Sequence, residues 1–151
     1  MPVQCDIVTQ ERSVFSGEVD YVSLPGTEGR MGVLPNHSPL LTTLSYGEVM
    51  VKQNGKQTFY AVGGGFVEIQ PDKITVLADS AEASDEINIE RAHEARERAE
   101  KMMDEGVPES HEHYAQIRAS LMRAQIRINV AHRHRHHSTL PTGKGMGEGE
   151  A

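Results

Sequence analysis

The densest group of side chains with chemistry to offer is His132-Arg133-His134-Arg135-His136-His137, four imidazoles and two guanidiniums in six positions. Imidazoles this close could take a transition metal, but a fixed metal site needs ligands locked by packing and an outer shell that orients them. The flanking sequence offers neither. The segment reads as the solvated basic end of a helix, and no metal ligand is assigned. His37 and Ser38 stand side by side in Leu34-Pro35-Asn36-His37-Ser38-Pro39, but a nucleophile and its base must be adjacent in space and need a third, orienting group. The flanking prolines make a rigid loop whose His serves backbone groups. Two glycine clusters, Gly26/Gly29/Gly32 and Gly63-Gly64-Gly65, invite comparison with phosphate-cradling loops. Such loops run from a strand into a helix N-terminus, whose amides and dipole hold the anion. Both clusters here run into β-type sequence, so they read as turns, bulges or points of close backbone approach. Cys5 stands alone and reads as a small buried hydrophobe. No catalytic residue is assigned.

The elements that must position these groups are bounded by composition. The chain has 151 residues, 37% hydrophobic and 5% aromatic with no Trp, enough for one modest core. A formal net charge of −7 argues against general nucleic-acid binding, which needs a basic face. No apolar run approaches the ~20 residues of a membrane span, and no charged-then-apolar signal segment opens the chain. Charge is segregated. Residues 1–85 carry 5 basic and 11 acidic groups, a net of −6, whereas residues 115–137 hold five Arg and no acid. Two modules with different work are implied.

Residues 3–83 break into short apolar or alternating runs: 3–9, 13–24, 31–34, 40–44, 48–52, 57–62, 65–70 and 73–78. Pro25-Gly26, Pro35-Asn36, Tyr46-Gly47, Asn54-Gly55 and Pro71-Asp72 punctuate them. Asn54-Gly55 is the strongest hairpin signal, because both residues tolerate positive φ. No crossover helix fits between such runs, so an antiparallel β-sandwich is expected over residues 1–84. From Asn88, a good N-cap, the period becomes helical, with Ala92, Ala95, Ala99 and Met102 on one stripe and Gly106 and Pro108 as a stop. A second seam runs Tyr114, Ile117, Leu121, Ala124, Ile128, Ala131 from a start near Ser110. These make an antiparallel helical hairpin over residues 85–137, with helices of roughly 25 and 30 Å. Its Ala-rich seam buries little area, so the hairpin is either a static appendage or a candidate for opening. Residues 138–151 are Gly-rich and expected to be disordered.

Gly29-Arg-Met-Gly-Val-Leu-Pro-Asn-His-Ser-Pro-Leu-Leu-Thr42 resembles the GxxGxLPxHxPLLT segment of the epsilon subunits of F-type ATP synthases. Val62–Ile69, Val76-Leu-Ala-Asp79 and the order of an all-β domain before a helical hairpin extend the match from about residue 3 to residue 131. The resemblance implies a non-catalytic rotor subunit of the central stalk. In that family the sandwich docks on the gamma subunit and the ring of c subunits, so that proton flow drives ATP synthesis. The hairpin moves between a compact state and an extended one that reaches the alpha/beta catalytic head and blocks ATP hydrolysis. The chain is then peripheral on the cytoplasmic face of an inner (plasma) membrane, or the stromal face of a thylakoid, and touches membrane only through the complex. Gly29, Arg30, Met31 and Gly32 correspond to the loop facing the c ring, with Arg30 where an acid is common. Arg118, Arg123, Arg127, Arg133 and Arg135 are the cations implied for the inhibitory contacts.

Some members bind a regulatory ATP through an I-D-x-x-R-A motif, and no other cofactor is implied. The matching run is Ile87-Asn88-Ile89-Glu90-Arg91-Ala92, with Glu82 before it, Arg98 after it, and Arg123 and Arg127 matching the pair on the second helix. Asn88 replaces the motif's Asp and lacks its charge. The alternative for Arg91 and Arg98 is simple pairing with nearby Glu on a solvated helix. A free-standing ATP-sensing module and a His-tail metal-binding protein are the competing functions. If residues 115–137 meet an acidic surface in the inhibited state, inhibition is expected to strengthen as pH falls from about 8 to about 6.

Overall fold

The computed structural model describes residues 2–105 and 110–138, with side chains described as far as residue 134. Eight strands come first: β1 (Val3–Val8), β2 (Ser13–Val19), β3 (Tyr21–Gly26), β4 (Gly29–Val33), β5 (Leu40–Gln53), β6 (Lys56–Gln70), β7 (Lys73–Ala78) and β8 (Ala81–Ala83). A 3-10 turn (Ser84–Glu86) leads into α1 (Ile89–Asp104) and α2 (His111–Ser138). The strands pair in the order β2-β1-β7-β6-β5-β3-β4, with β8 also on β6. Inward positions alternate as a half-buried strand requires: Val3, Cys5 and Ile7 on β1, Ile74, Val76 and Ala78 on β7. Side chains from strands far apart in that order, such as Ile7, Val22, Leu24 and Val76, share one buried cluster, so the sheet doubles over into a sandwich.

The long strands do the folding over. The sequence divides residues 40–52 at Tyr46-Gly47 and residues 57–70 before Gly65, but each pair of runs is one strand, β5 and β6. Tyr46-Gly47 is not a turn; both residues pair across to Gly63 and Val62. The bend falls instead at Gly63-Gly64-Gly65. Gly64 and Gly65 take φ of 85° and 126°, a region costly for any residue with a Cβ. A Cβ on Gly65 would lie 2.1 Å from the Leu77 carbonyl oxygen, and one on Gly63 would lie 2.5 Å from Ser80 Oγ. Both glycine clusters thus act in backbone geometry, as the sequence indicates.

Asn54 and Gly55 turn β5 into β6 with φ of 49° and 83°, the positive pair expected there. The run 13–24 divides at Asp20, whose carboxylate accepts from the Asn54 amide at 2.8 Å. All pairings are antiparallel except β1 with β7, which is parallel and brings the first strand beside the last long one. Cys5 is fully buried there, and burial pushes its thiol up to about 12, which leaves it unreactive.

Asn88 caps α1, its Oδ1 accepting from the Arg91 amide at 3.0 Å. Ser110 Oγ accepts from the His113 amide at 3.1 Å, opening α2. Ala92 and Ala99 of α1 and Ile117, Ala124 and Ile128 of α2 are buried, as the spacing predicts, with Ala95, Tyr114 and Leu121 half-buried. Met102, expected on the α1 stripe, is 44% exposed at the open end of the helix, and Ala131 packs instead with Ala61 and Ile87. At 1.5 Å per residue the 16 and 28 residues of the helices span about 24 and 42 Å. The second exceeds the expected length of about 30 Å because that length covered only the seam, whereas helix runs on through the His-rich end to Ser138. The Gly106-Pro108 stop and residues 139–151 lie outside the described residues.

Gly65→Ala should lower the unfolding free energy by at least about 2 kcal/mol, since positive φ and a backbone clash add. Gly55→Ala, with positive φ but no heavy atom within 4 Å of the new Cβ, should lose about 1 kcal/mol. Urea denaturation of both variants checks the difference.

Candidate functional site at the hairpin–sandwich cleft

The hairpin packs against the sandwich through α2. Below Ala131 the helix shows a second face: Val130 and Ala131 are buried with Ala61 of β6 and Ile87, flanked by Phe59, Ile89 and Ile126. Further up α2, a cleft of about 710 Å³ opens between the helices and β6–β8. That volume suits a small-molecule ligand.

Four guanidiniums and two carboxylates meet the cleft: Arg12, Arg98, Arg123 and Arg127 against Glu11 and Glu82. Arg127 Nε donates to Glu82 Oε1 at 2.8 Å, both side chains less than a third exposed. This pair ties α2 to β8. Arg12 lies 3.5 Å from Glu86. Among the described residues, Arg123 Nη2 donates to Ser120 Oγ at 3.2 Å, and neither Arg123 nor Arg98 has an ion-pair partner. Surplus cation therefore faces the cleft, and an anion is the ligand it suits. Gly63 keeps β6 low enough for Arg123 to lie across it; a Cβ at that position would sit 3.2 Å from Arg123 Cγ.

Of the eight residues matched to the ATP motif, Glu82, Arg98, Arg123 and Arg127 come together at the cleft. Ile87 and Ala92 are buried in packing, Asn88 is engaged in its cap, and Arg91 is exposed; none of these four lines the cleft. Sequence reasoning missed Arg12, Gly63 and Ser80, which arrive from the sandwich and carry no helical spacing to betray them.

Gly29, Arg30, Met31 and Gly32 belong to strand β4 and not to a loop; the turn is at Thr27 and Glu28, because Gly26 pairs with Gly29 across it. Arg30 folds back, its Nε donating to Ser23 Oγ at 2.9 Å and its Nη2 to the Glu48 carbonyl at 2.7 Å. His37 is engaged with its own backbone, Nδ1 lying 2.7 Å from the Ser38 carbonyl oxygen, which as an acceptor makes Nδ1 the protonated nitrogen.

The solvated reading of residues 132–137 is corrected at His134. Its imidazole stacks on Phe59 of β6, with centroids 3.4 Å apart and planes within 5°. Its Nε2 bonds Glu48 Oε1 of β5, and the His134 side chain is only 10% exposed. Arg133 reaches the same carboxylate at 3.5 Å from an exposed position. The neighbouring aromatic and acid lie 75 and 86 positions away in sequence, hidden from any local pattern. Arg118 is exposed on α2, and the side chain of Arg135 lies outside the described residues.

A β-sandwich bearing a helical hairpin, with a cation-rich cleft between them, defines a two-part binding subunit. Residues 2–84 match the family described as "ATP synthase, Delta/Epsilon chain, beta-sandwich domain", and residues 85–132 its "long alpha-helix domain". The chain is 50% identical over 136 residues to an ATP synthase epsilon chain of Dehalococcoides mccartyi, covering 89% of this chain and 96% of that one. It is 49% identical over 131 residues to the epsilon chain of Herpetosiphon aurantiacus, covering 87% and 95%. In fold it is similar to a chain of the Euglena gracilis mitochondrial ATP synthase, with a TM-score of 0.71 at 21% identity over 88% of this chain and 82% of that one. A chain from the central stalk and c-ring of the Tetrahymena thermophila enzyme gives a TM-score of 0.56 at 8% identity, over 87% and 97%. The chain belongs to the delta/epsilon chain family of ATP synthases and is a non-catalytic subunit of that complex. Among the described residues no helix is long and apolar enough to cross a membrane.

The Arg127–Glu82 pair gives a direct test of how α2 is tied down. Glu82→Gln and Arg127→Met should each destabilise the chain by about 1 kcal/mol, and a double-mutant cycle in urea should show a coupling of about 1 kcal/mol. Strict additivity would mean the pair contributes nothing.

Proposed function

We propose that this chain is a rotor subunit that carries c-ring rotation to the catalytic head and whose hairpin is a conformational inhibitor of ATP hydrolysis. The observation that carries this reading is the division of the packing. The sandwich core draws every buried member from residues 3–83, whereas the hairpin sits on it through a separate cluster of four buried side chains: Ala61, Ile87, Val130 and Ala131. Fully burying a Val or Ile is worth about 1.5–3 kcal/mol. Lifting α2 off the sandwich therefore costs a few kcal/mol, within the range that a partner or ligand can shift, and leaves the sandwich core intact.

The docking face fits the gamma subunit as occupant. Leu41, Phe66 and Leu77 are all about half exposed or more, on neighbouring strands β5, β6 and β7, with Phe66 directly opposite Leu77. An apolar face of this kind on a family member calls for a partner. The c ring is met by the β3–β4 hairpin, where exposed Glu28 sits at the turn and Arg30 is held against β3 and β5. The alpha/beta head is met by Arg118, Arg123, Arg127, Arg133 and Arg135 when the hairpin extends, which breaks the Arg127–Glu82 pair. The chain is held through the complex on the cytoplasmic side of an inner membrane, or on the stromal side of a thylakoid. A regulatory ATP occupies the cleft in the compact state, its phosphates on Arg98 and Arg123.

A stop after Ser84 should leave a folded sandwich that binds gamma and supports proton-coupled ATP synthesis, while ATP hydrolysis by the assembled complex rises. ATPase rate and proton pumping in membranes carrying the truncated subunit are the readouts. Lost coupling, or an unchanged hydrolysis rate, would overturn the assignment. For the cleft, millimolar ATP should raise the melting temperature of the isolated chain by several degrees through linkage. The rise should be lost in Arg98→Ala and Arg123→Ala; no shift in the parent chain would remove ATP from the proposal.

A further inference from the structure

We propose that Glu48, Phe59 and His134 form a proton-operated clasp that holds the hairpin closed on the sandwich. The inference rests on the opening hairpin of the proposed function and names what governs it in this chain. His134 lies near the end of the described part of α2, almost a helical turn beyond the last residue of the Tyr114–Ala131 seam, so the seam does not hold it. It is held by two strands at once: the ring lies flat on Phe59 of β6, and Nε2 meets Glu48 Oε1 of β5. Glu48 is itself only 15% exposed at its side chain. An imidazolium there makes a charge-assisted hydrogen bond to the carboxylate and a cation–π stack on Phe59. A neutral imidazole keeps one ordinary hydrogen bond and an aromatic stack.

Charged and titratable groups surround the ring. On β5 the group is Glu48, whose carbonyl is held by Arg30 of β4 and whose carboxylate also meets Arg133 beside His134. The partner on β6 is the uncharged Phe59. The 3-10 turn packed on α2 carries the acids Asp85 and Glu86, with Glu86 3.5 Å from Arg12, and α1 carries His93, whose ring meets His132 edge-on at 5.9 Å. Arg133 is the one described cation on the same carboxylate, and it is exposed, so solvent screens it. Opening of the hairpin returns the ring to water and removes both contacts. A histidine changes charge between about pH 5 and 8, so closure is tightest on the acid side of that window and loosens toward its alkaline side. This sign is opposite to the one the charge of residues 115–137 implies for an acidic partner surface.

The test uses the full chain with spin labels at Lys52→Cys on β5 and Met122→Cys on α2, both exposed positions; Cys5 is fully buried and stays unlabelled. Distances between the labels report the closed and open populations. The closed-to-open ratio should fall as pH rises from about 6 to about 8. Glu48→Gln and His134→Gln should each lower that ratio about tenfold at pH 6, the scale of one charge-assisted hydrogen bond, and flatten its pH dependence. His134→Phe keeps the stack without the proton, so it should also be flat but closed more often than His134→Gln. Ala115→Ser, exposed on the same helix, should change nothing. Open populations indifferent to pH and to Glu48→Gln would overturn the clasp while leaving the opening hairpin standing. A hairpin closed in every variant at every pH would overturn both.

Discussion

Three residues without side chains in the middle of β6 are the constraint on which the rest of this molecule depends. Gly64 and Gly65 take positive φ, and neighbouring backbone and side-chain atoms leave no room for a Cβ at Gly63 or Gly65. The bend lets one continuous sheet supply both layers of the sandwich. The absence of a Cβ on Gly63 also leaves room for Arg123 to lie across β6 at the cleft. A phosphate-loop role would have used the same glycines for their amides. Here they serve packing, and the guanidiniums at the cleft come from other elements.

The two modules are stabilised on different scales. The sandwich closes a cluster running from Val3 to Ala83 around large aliphatic side chains. Between the helices, small Ala side chains set the approach, and polar groups such as Arg96, 3.5 Å from Gln125 Oε1, fill the rest. The contacts between hairpin and sandwich divide three ways along α2: an ion pair at Arg127, a small apolar patch around Val130, and the His134 contact beyond it. Each is worth on the order of 1–3 kcal/mol, and none is covalently or topologically enforced. Local stability is therefore lowest where the hairpin meets the sandwich.

Much of this is legible in the residues because the signals are local. Asn54-Gly55 dictates its turn by the φ each residue tolerates, Asn88 its cap, and the 3–4 spacing from Tyr114 to Ala131 its seam. The family motif extends that reading to Glu82, Arg98, Arg123 and Arg127, which do share a cleft. What stays hidden depends on distance in the chain. The short strand β8 has only three residues and no alternation to display. Tyr46-Gly47 looks like a turn by composition, but pairing with Gly63 and Val62 overrides it. The second face of α2, from Ile126 through Val130 to His134, blurs a one-stripe pattern because two faces of one helix are occupied. His134 itself looks solvated in the sequence because its partners, Phe59 and Glu48, come from strands far upstream.

The parallel pairing of β1 with β7 bears on synthesis as well as on shape. Val3–Val8 can find β2 at once, but its other edge is satisfied only by Lys73–Ala78. A chain leaving the ribosome thus carries an open, apolar strand edge until some seventy further residues have followed, and only then can the sandwich close. The hairpin emerges after that event and meets a finished surface. Its helices therefore have no part to play in forming the domain they later rest on, and the order of the chain enforces the independence of the two parts from the moment each is made.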